Sequence, residues 1–323
     1  MPSVSVIIPA YGHRDFLMQT LESVFAQSYT DYEVIVVNDG SPDDTETLLA
    51  HLVREGRIQY VKQDNRGQAI ARNRGLSMAS GRYIALLDDD DLWPADKLSW
   101  QVEELSRQPE AVMVYGQHLQ LGKSPAKIFP GEFAPDGSAF DAFVDAGWIR
   151  SPGQTLIRAE VLRDIGGFDA AIWGTDDWDL WLRLAKAGAF IYRPRVALHY
   201  RMHQTNASRR FHRMYRNGLR VVHKHFGVIP SRKTWGNWVR AQKFVRGFAG
   251  SDGLIEARRL AVDGRVFAAL WTLLTALTIW PVLLKQKSSW TQIGGMMDAL
   301  LHRRGRKVEL PCDDSLTLTR KAQ

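Results

Sequence analysis

Residues 83–94 read YIALLDDDDLWP, five residues suited to a buried strand followed at once by four carboxylates, Asp88, Asp89, Asp90 and Asp91. Acids this close raise one another's pKa unless a cation or a hydrogen-bonding shell holds them. In an open α/β sheet the end of a strand is where ligands are met. Hard oxygen donors in that place suit Mg²⁺ or Mn²⁺, which take one or two carboxylates and complete their shell with phosphate oxygens and water. The structural alternative is a solvated acidic turn, with Asp91 capping a helix that starts near Pro94. That alternative suits Asp91 better than Asp88 or Asp90, because a surface cap needs no further acids in front of it.

Outward from this stretch, strand and helix patterns alternate. Residues 4–9 and 33–37 are continuous apolar runs that predict buried strands, and 58–61 predicts a third. Between them Phe16, Leu17, Leu21, Val24 and Phe25 fall on one helical face, as do Leu48, Leu49, Leu52 and Val53 in a second helix. Helices are expected over 68–79, 97–107 and 176–187, and strands over 111–115, 154–157, 190–192 and 197–201, with a turn at Gly166 to Asp169. Residues 116–150 read as a variable lid or acceptor-facing loop. Short strand–helix units imply an α/β fold with mostly parallel strands joined by crossovers.

The charge is divided. Residues 1–192 carry 17 Lys and Arg against 28 Asp and Glu, whereas residues 193–323 carry 25 against 7. The acidic part suits a metal-dependent site, and the basic part suits an anionic surface, membrane or nucleic acid. In the basic part Arg209, Arg210, Arg213, Arg216, Arg220 and Lys224 recur at helical spacing among Phe211, Met214, Tyr215, Leu219 and Val222. Residues 266–284 hold no charge and are flanked by Arg258, Arg259, Arg265, Lys285 and Lys287. Nineteen residues lie at the lower limit for crossing a bilayer. Basic flanks on both sides and Pro281 near the end favour helices lying in or on the membrane interface, over a crossing or an ordinary docking or dimer contact. A lone cysteine, Cys312, leaves no internal disulfide framework, and residues 1–13 have no basic region ahead of a long apolar segment. Cytoplasmic residence, peripheral to the inner face of the membrane, is expected. The residues from 308 on read as a disordered tail.

In order, the chain carries SVIIPAYG, VIVVNDGS, DNRGQAIARNRGL, LLDDDD, GGFD, TDDWDLWLRLA and YRMH. This series, over residues 3–206, resembles the family 2 inverting glycosyltransferases of the GT-A fold. The resemblance implies a Rossmann-like sheet flanked by helices in residues 1–207, and the basic and apolar composition beyond it reads as a membrane-associating or docking helical extension over 208–307. It implies transfer of a sugar from a nucleoside diphosphate, UDP most readily, to a glycan or lipid-linked acceptor of cell-surface polysaccharide, lipopolysaccharide or related synthesis. Pro9, Ala10 and Tyr11 would flank the nucleoside and Asp39 would accept from the base. Asn65, Gly67, Arg72 and Asn73 would lie along nucleotide and diphosphate. Asp88 and Asp90 would form the metal-binding DxD, with Asp90 the direct Mn²⁺ or Mg²⁺ ligand, Asp88 nearer the ribose and Asp89 the variable middle position. Asp177 would be the general base, with Asp176 its neighbour in a pair that the family usually writes Glu-Asp, and His203 would reach the metal or diphosphate. Asp179 and Arg74 read as surface residues. A sugar nucleotidyltransferase is the rival enzyme, but PAYGHRD lacks the Gly-rich, Arg-containing loop those enzymes share. A non-catalytic scaffold with a basic tail binding membrane or nucleic acid is the other. The tail's aromatics sit with aliphatics, which favours membrane, so no nucleic acid partner is expected.

Overall fold

The structure, a computed structural model, describes residues 2–121, 127–203 and 211–301. The chain divides into two compact units, Met1–His203 and Gln204–Gln323. Arg209, Arg210, the expected boundary at 207 and the expected tail over 308–323 lie outside the described residues.

The first unit is built on one sheet of β1 (Val4–Ala10), β2 (Tyr32–Asn38), β3 (Gln59–Lys62), β4 (Tyr83–Leu86), β5 (Ala111–Gln120), β6 (Lys127–Phe129), β7 (Thr155–Arg158) and β8 (Ala189–Tyr200). The order is β3-β2-β1-β4-β7-β5-β6, with β8 paired to β5. β1 is parallel to both β2 and β4, β2 is parallel to β3, and β5 is parallel to β8, while β7 runs antiparallel between β4 and β5. The central strands are apolar on both faces because helices cover both, as parallel crossovers require. Those helices are α1 (Arg14–Phe25), α2 (Thr45–Arg54), α3 (Gln68–Met78), α4 (Lys97–Arg107), α5 (Phe140–Asp145), α6 (Ala159–Asp164) and α7 (Asp176–Ala187).

The amphipathic patterns place their faces as read for α1, where Leu17, Leu21 and Val24 are buried, and for α2 at Leu49 and Leu52. Each such side chain contributes roughly 1.5–3 kcal/mol by leaving water. Val53 faces solvent instead. The last turn of α4 is closed by buried Arg158, whose guanidinium donates to the carbonyls of Leu105 at 2.7 Å, Gln108 at 3.0 Å and Ala111 at 2.6 Å. The Leu105 carbonyl lies in the last turn of α4, where no intrahelical N–H follows to meet it.

Three local expectations change. The strands expected over 190–192 and 197–201 are one strand, β8, whose pairing with β5 slips around Arg193 to Arg195. β5 runs on to Gln120, and the segment read as a loop carries β6 and α5, with Phe143 packed edge-on against Tyr115 and Phe190. Asp91 caps no helix, because α4 begins at Lys97 and Asp91 is turned inward at 1% exposure.

The second unit contains α8 (Phe211–Phe226), α9 (Trp235–Val262), α10 (Val266–Ile279), a 3₁₀ segment (Pro281–Lys285) and α11 (Lys287–Leu301). α9 presents small residues, Ala249, Gly250, Gly253 and Ala257, and a methyl at Gly250 would meet Trp280 Cβ at 2.8 Å. The apolar run 266–284 is broken at Trp280, ahead of Pro281, so α10 has 14 residues. At 1.5 Å per residue this is about 21 Å, short of the roughly 30 Å hydrocarbon layer. Among the described residues no helix is long and apolar enough to cross a membrane.

Candidate active site

Because β3, β2, β1 and β4 run parallel, the loops after them share one edge of the sheet. Hydrogen bonds then stitch these loops together. Asp39 N donates to Ala10 O at 2.9 Å, and Tyr11 N donates to Asp89 Oδ2 at 2.8 Å, which ties the end of β1 to the acidic run. Thr20 of α1 donates to the carbonyls of Asp89 and Asp91 at 3.1 and 2.8 Å. From the other side, Leu92 and His199 exchange backbone bonds of 3.2 and 2.8 Å, and Arg201 N donates to Asp91 Oδ1 at 2.9 Å. The end of β8 is thereby fixed on the acidic run, which carries His203 to Asp90 with Nε2 and Oδ2 2.7 Å apart.

The four acids take four different environments. Asp88 accepts from Arg72 Nη2 at 2.6 Å and from Ser151 Oγ at 3.2 Å. Asp89 is buried, and its Oδ1 lies 2.8 Å from His13 Nδ1. Burial pushes Asp89 up to about 6, and the bond to Asp89 holds His13 above the ordinary imidazole value. Asp90 faces His203. Asp91 is pushed well above the usual carboxylate range by burial and by the charges of Asp90 and Asp88. The run is a sorting of acids rather than a solvated turn.

Arg72, on α3, is 2% exposed and bridges two elements, donating through Nη2 to Asp88 and through Nη1 to Asp176 Oδ2 at 3.0 Å. Asp176, at the start of α7, also accepts from Gln68 Nε2 at 2.9 Å and from Gly174 N at 3.1 Å. Arg72, which the resemblance sets along the diphosphate, is here a buried tie whose planar fork reaches carboxylates on two sides. Asp177 is half-buried, its Oδ1 accepts from Trp178 N at 2.7 Å, and it is pushed up to about 7, chiefly by burial and then by the charge of Asp176.

The remaining expected residues fall in two groups. Pro9, Ala10 and Tyr11 end β1 at this edge, with Tyr11 47% exposed. Asp39 is buried and organises the loop after β3, accepting from Gln63 Nε2 at 2.7 Å, Arg66 N at 2.9 Å and Gly67 N at 2.8 Å. Asn65 is exposed in that loop, and Gly67 precedes α3 with φ +93°, a conformation that favours glycine. Asn73 lies on α3. Both ends of its amide bind the Phe168 backbone, Nδ2 to the carbonyl at 2.8 Å and Oδ1 from the N–H at 2.8 Å. Asp179, expected on the surface, is fully buried and pairs with Arg183 at 2.8 Å.

His13, Asp90 and His203 each bring one ligand-capable atom within 4.8 Å of the others. Two imidazoles and a carboxylate fit a divalent cation. Asp88 is outside this cluster. His13 was not singled out in the sequence, since a histidine three residues past a strand carries no pattern of its own.

The description "Glycosyl transferase family 2" covers a family whose model matches residues 5–166. The chain is 38% identical over 147 residues to the putative teichuronic acid biosynthesis glycosyltransferase TuaG of Bacillus subtilis, which spans 45% of this chain and 53% of that one. It spans 36%, 26% and 35% of the length of three glycosyltransferases of Rickettsia species that it also matches. The mannosyltransferase PcManGT from Pyrobaculum calidifontis, solved with GDP-Man and Mn²⁺, is similar at a TM-score of 0.59 and 19% identity, over 94% of this chain and 88% of that one. TarS 1–349 of S. aureus, solved with UDP-GlcNAc, is similar at 0.58 and 13%, over 88% and 92%. At these identities the likeness is one of fold, an α/β sheet with flanking helices in the GT-A arrangement. With the match spanning the strands and acids that build this edge of the sheet, the chain belongs to glycosyl transferase family 2.

Proposed function

We propose that the chain moves a sugar from a nucleoside diphosphate, UDP in the first instance, to an acceptor hydroxyl with inversion at the anomeric carbon, using a divalent cation. The observation that carries this reading is the Arg72 bridge, 2.6 Å to Asp88 and 3.0 Å to Asp176, which joins the strand-end acids to the first turn of α7. The bridge sets Asp177 beside the acidic edge.

A divalent cation, held by Asp90 and His203, would neutralise charge gathering on the departing diphosphate. Tyr11 offers an exposed ring for the base at the end of β1, and Asp39 shapes the adjoining loop. Asp177 takes the proton from the acceptor hydroxyl. With its pKa near 7 it is a base matched to neutral pH. Asp176 is committed to Arg72, Gln68 and Gly174, so the choice between the two acids falls on Asp177.

TarS, solved with UDP-GlcNAc, and PcManGT, solved with GDP-Man, support a nucleotide-sugar donor, and TuaG, named for teichuronic acid biosynthesis, supports a cell-surface polysaccharide acceptor. The catalytic work lies in residues 1–207. Residues 208–307 hold the chain on the cytoplasmic, inner face of an anionic membrane. On α10, Phe267, Leu270, Trp271 and Leu274 share one face and are exposed, Phe267 at 91% and Trp271 at 66%, while Ala269, Thr272 and Ala276 are buried. Large apolar groups outward, small ones inward and basic flanks describe an interfacial helix. A panel of nucleotide sugars with Mn²⁺, read by thermal stabilisation and by nucleotide release in the presence of glycan acceptors, tests the transferase reading. If no nucleotide sugar stabilises the protein, the reading is lost.

A further inference from the structure

We propose that His13 is a third protein ligand of the metal, making the centre a two-imidazole, one-carboxylate site of His13, Asp90 and His203 that prefers Mn²⁺ and its transition-metal neighbours over Mg²⁺. The inference rests on the transferase reading only for the presence of a divalent cation. It concerns which of this chain's atoms hold the ion.

Three observations converge on His13. Its ligand-capable atom lies within 4.8 Å of those of Asp90 and His203, on a loop after β1 far in sequence from both. Its ring meets that of His203 edge-on with centroids 5.1 Å apart, and Phe16 lies against both rings, at 6.2 and 5.3 Å. Its Nδ1 is 2.8 Å from Asp89 Oδ1, and Asp89 is itself buried and anchored by Tyr11 N. A carboxylate on one ring nitrogen fixes the tautomer and makes the other nitrogen the better donor, the usual support of a metal-bound histidine. Nε2 of His13 is thereby assigned to the ion. The middle acid of the run thus acts one step removed, as a positioning residue for His13.

The donor set decides the metal. Mg²⁺ asks for oxygen ligands, whereas imidazole suits the first-row transition ions, and two imidazoles with one carboxylate leave positions for diphosphate oxygens and water. Asp88 is drawn off to Arg72 and Ser151.

The test uses the full chain with Mn²⁺ alone and Mn²⁺ with UDP, read by electron paramagnetic resonance. Pulsed spectra of the unaltered protein should show hyperfine coupling to two imidazole nitrogens, and Mg²⁺ in hundredfold excess should leave most Mn²⁺ bound. His13→Asn keeps a donor where Nδ1 sits, so the bond to Asp89 can persist while the Nε2 ligand is removed. That variant should show one nitrogen and bind Mn²⁺ at least about tenfold more weakly. Asp89→Asn should weaken binding while both nitrogens remain. Coupling to a single nitrogen in the unaltered protein, or unchanged Mn²⁺ affinity in His13→Asn, overturns the role of His13 and leaves the transferase reading standing. If the unaltered protein binds no Mn²⁺ with or without UDP, the metal-dependent reading falls as well.

Discussion

In the proposed reading Asp177 is the base, while its neighbour Asp176 is tied to Arg72. Asp177→Asn should lower kcat by about 10²–10⁴ while nucleotide binding stays near normal, measured by turnover and calorimetry. Because the base must be ionised, the unaltered enzyme should lose kcat/KM as pH falls through about 7, and stability carries the opposite sign. A carboxyl whose folded pKa is raised stabilises fully only below its unfolded value of 3.8 and loses that contribution as pH rises through about 7. Asp177→Asn should therefore gain Tm over the unaltered protein at pH 8 and show little difference at pH 4. Arg72→Met should cost about 3–5 kcal/mol in urea unfolding, because it strands buried Asp176, and Arg72→Lys should not restore it since one ammonium cannot reach both acids.

At the scale of elements, α3 is held against β1 by the absence of a side chain. A methyl at Gly75 would lie 2.3 Å from Ile7 Cγ2, and Ile7 is fully buried. Gly75→Ala gains helix propensity of about 0.5–1 kcal/mol but overpacks the layer by about 1–3, so the midpoint of unfolding should fall. The helices α1, α2, α4 and α7 are legible because each repeats its apolar residues at 3.6. β8 was not, since Arg193, Pro194 and Arg195 interrupt its alternation where the pairing with β5 slips. Likewise Asp179 sits at a position that reads as polar surface, and only the presence of Arg183 one turn on, inside the fold, makes it a buried pair.

For the molecule as a whole, the membrane contact proposed above draws on the division of charge and on the outward apolar face of α10, and is tested on the full chain. Phe267→Ser with Trp271→Ser should reduce co-flotation with phosphatidylglycerol vesicles at least about tenfold, while activity on a soluble acceptor is kept. High salt should weaken what remains, through the basic flanks. Tight oligonucleotide binding with unchanged flotation would point the basic part to nucleic acid instead.

The alternation of strand and helix, the four acids after β4 and the division of charge belong to the sequence alone, because they depend on periodicity and local chemistry. Residue type also named the candidates: the acids after β4, the paired acids of α7 and the histidine after β8. Which acid does what was decided only in three dimensions. Arg72, legible as a phosphate ligand, is drawn inside by Asp88 and Asp176. Asp89 turns to His13, and Asp91 turns inward to Arg201. Each of these outcomes depends on partners from 16 to 110 residues away along the chain that the sheet brings within about 3 Å, and no local pattern encodes such a distance.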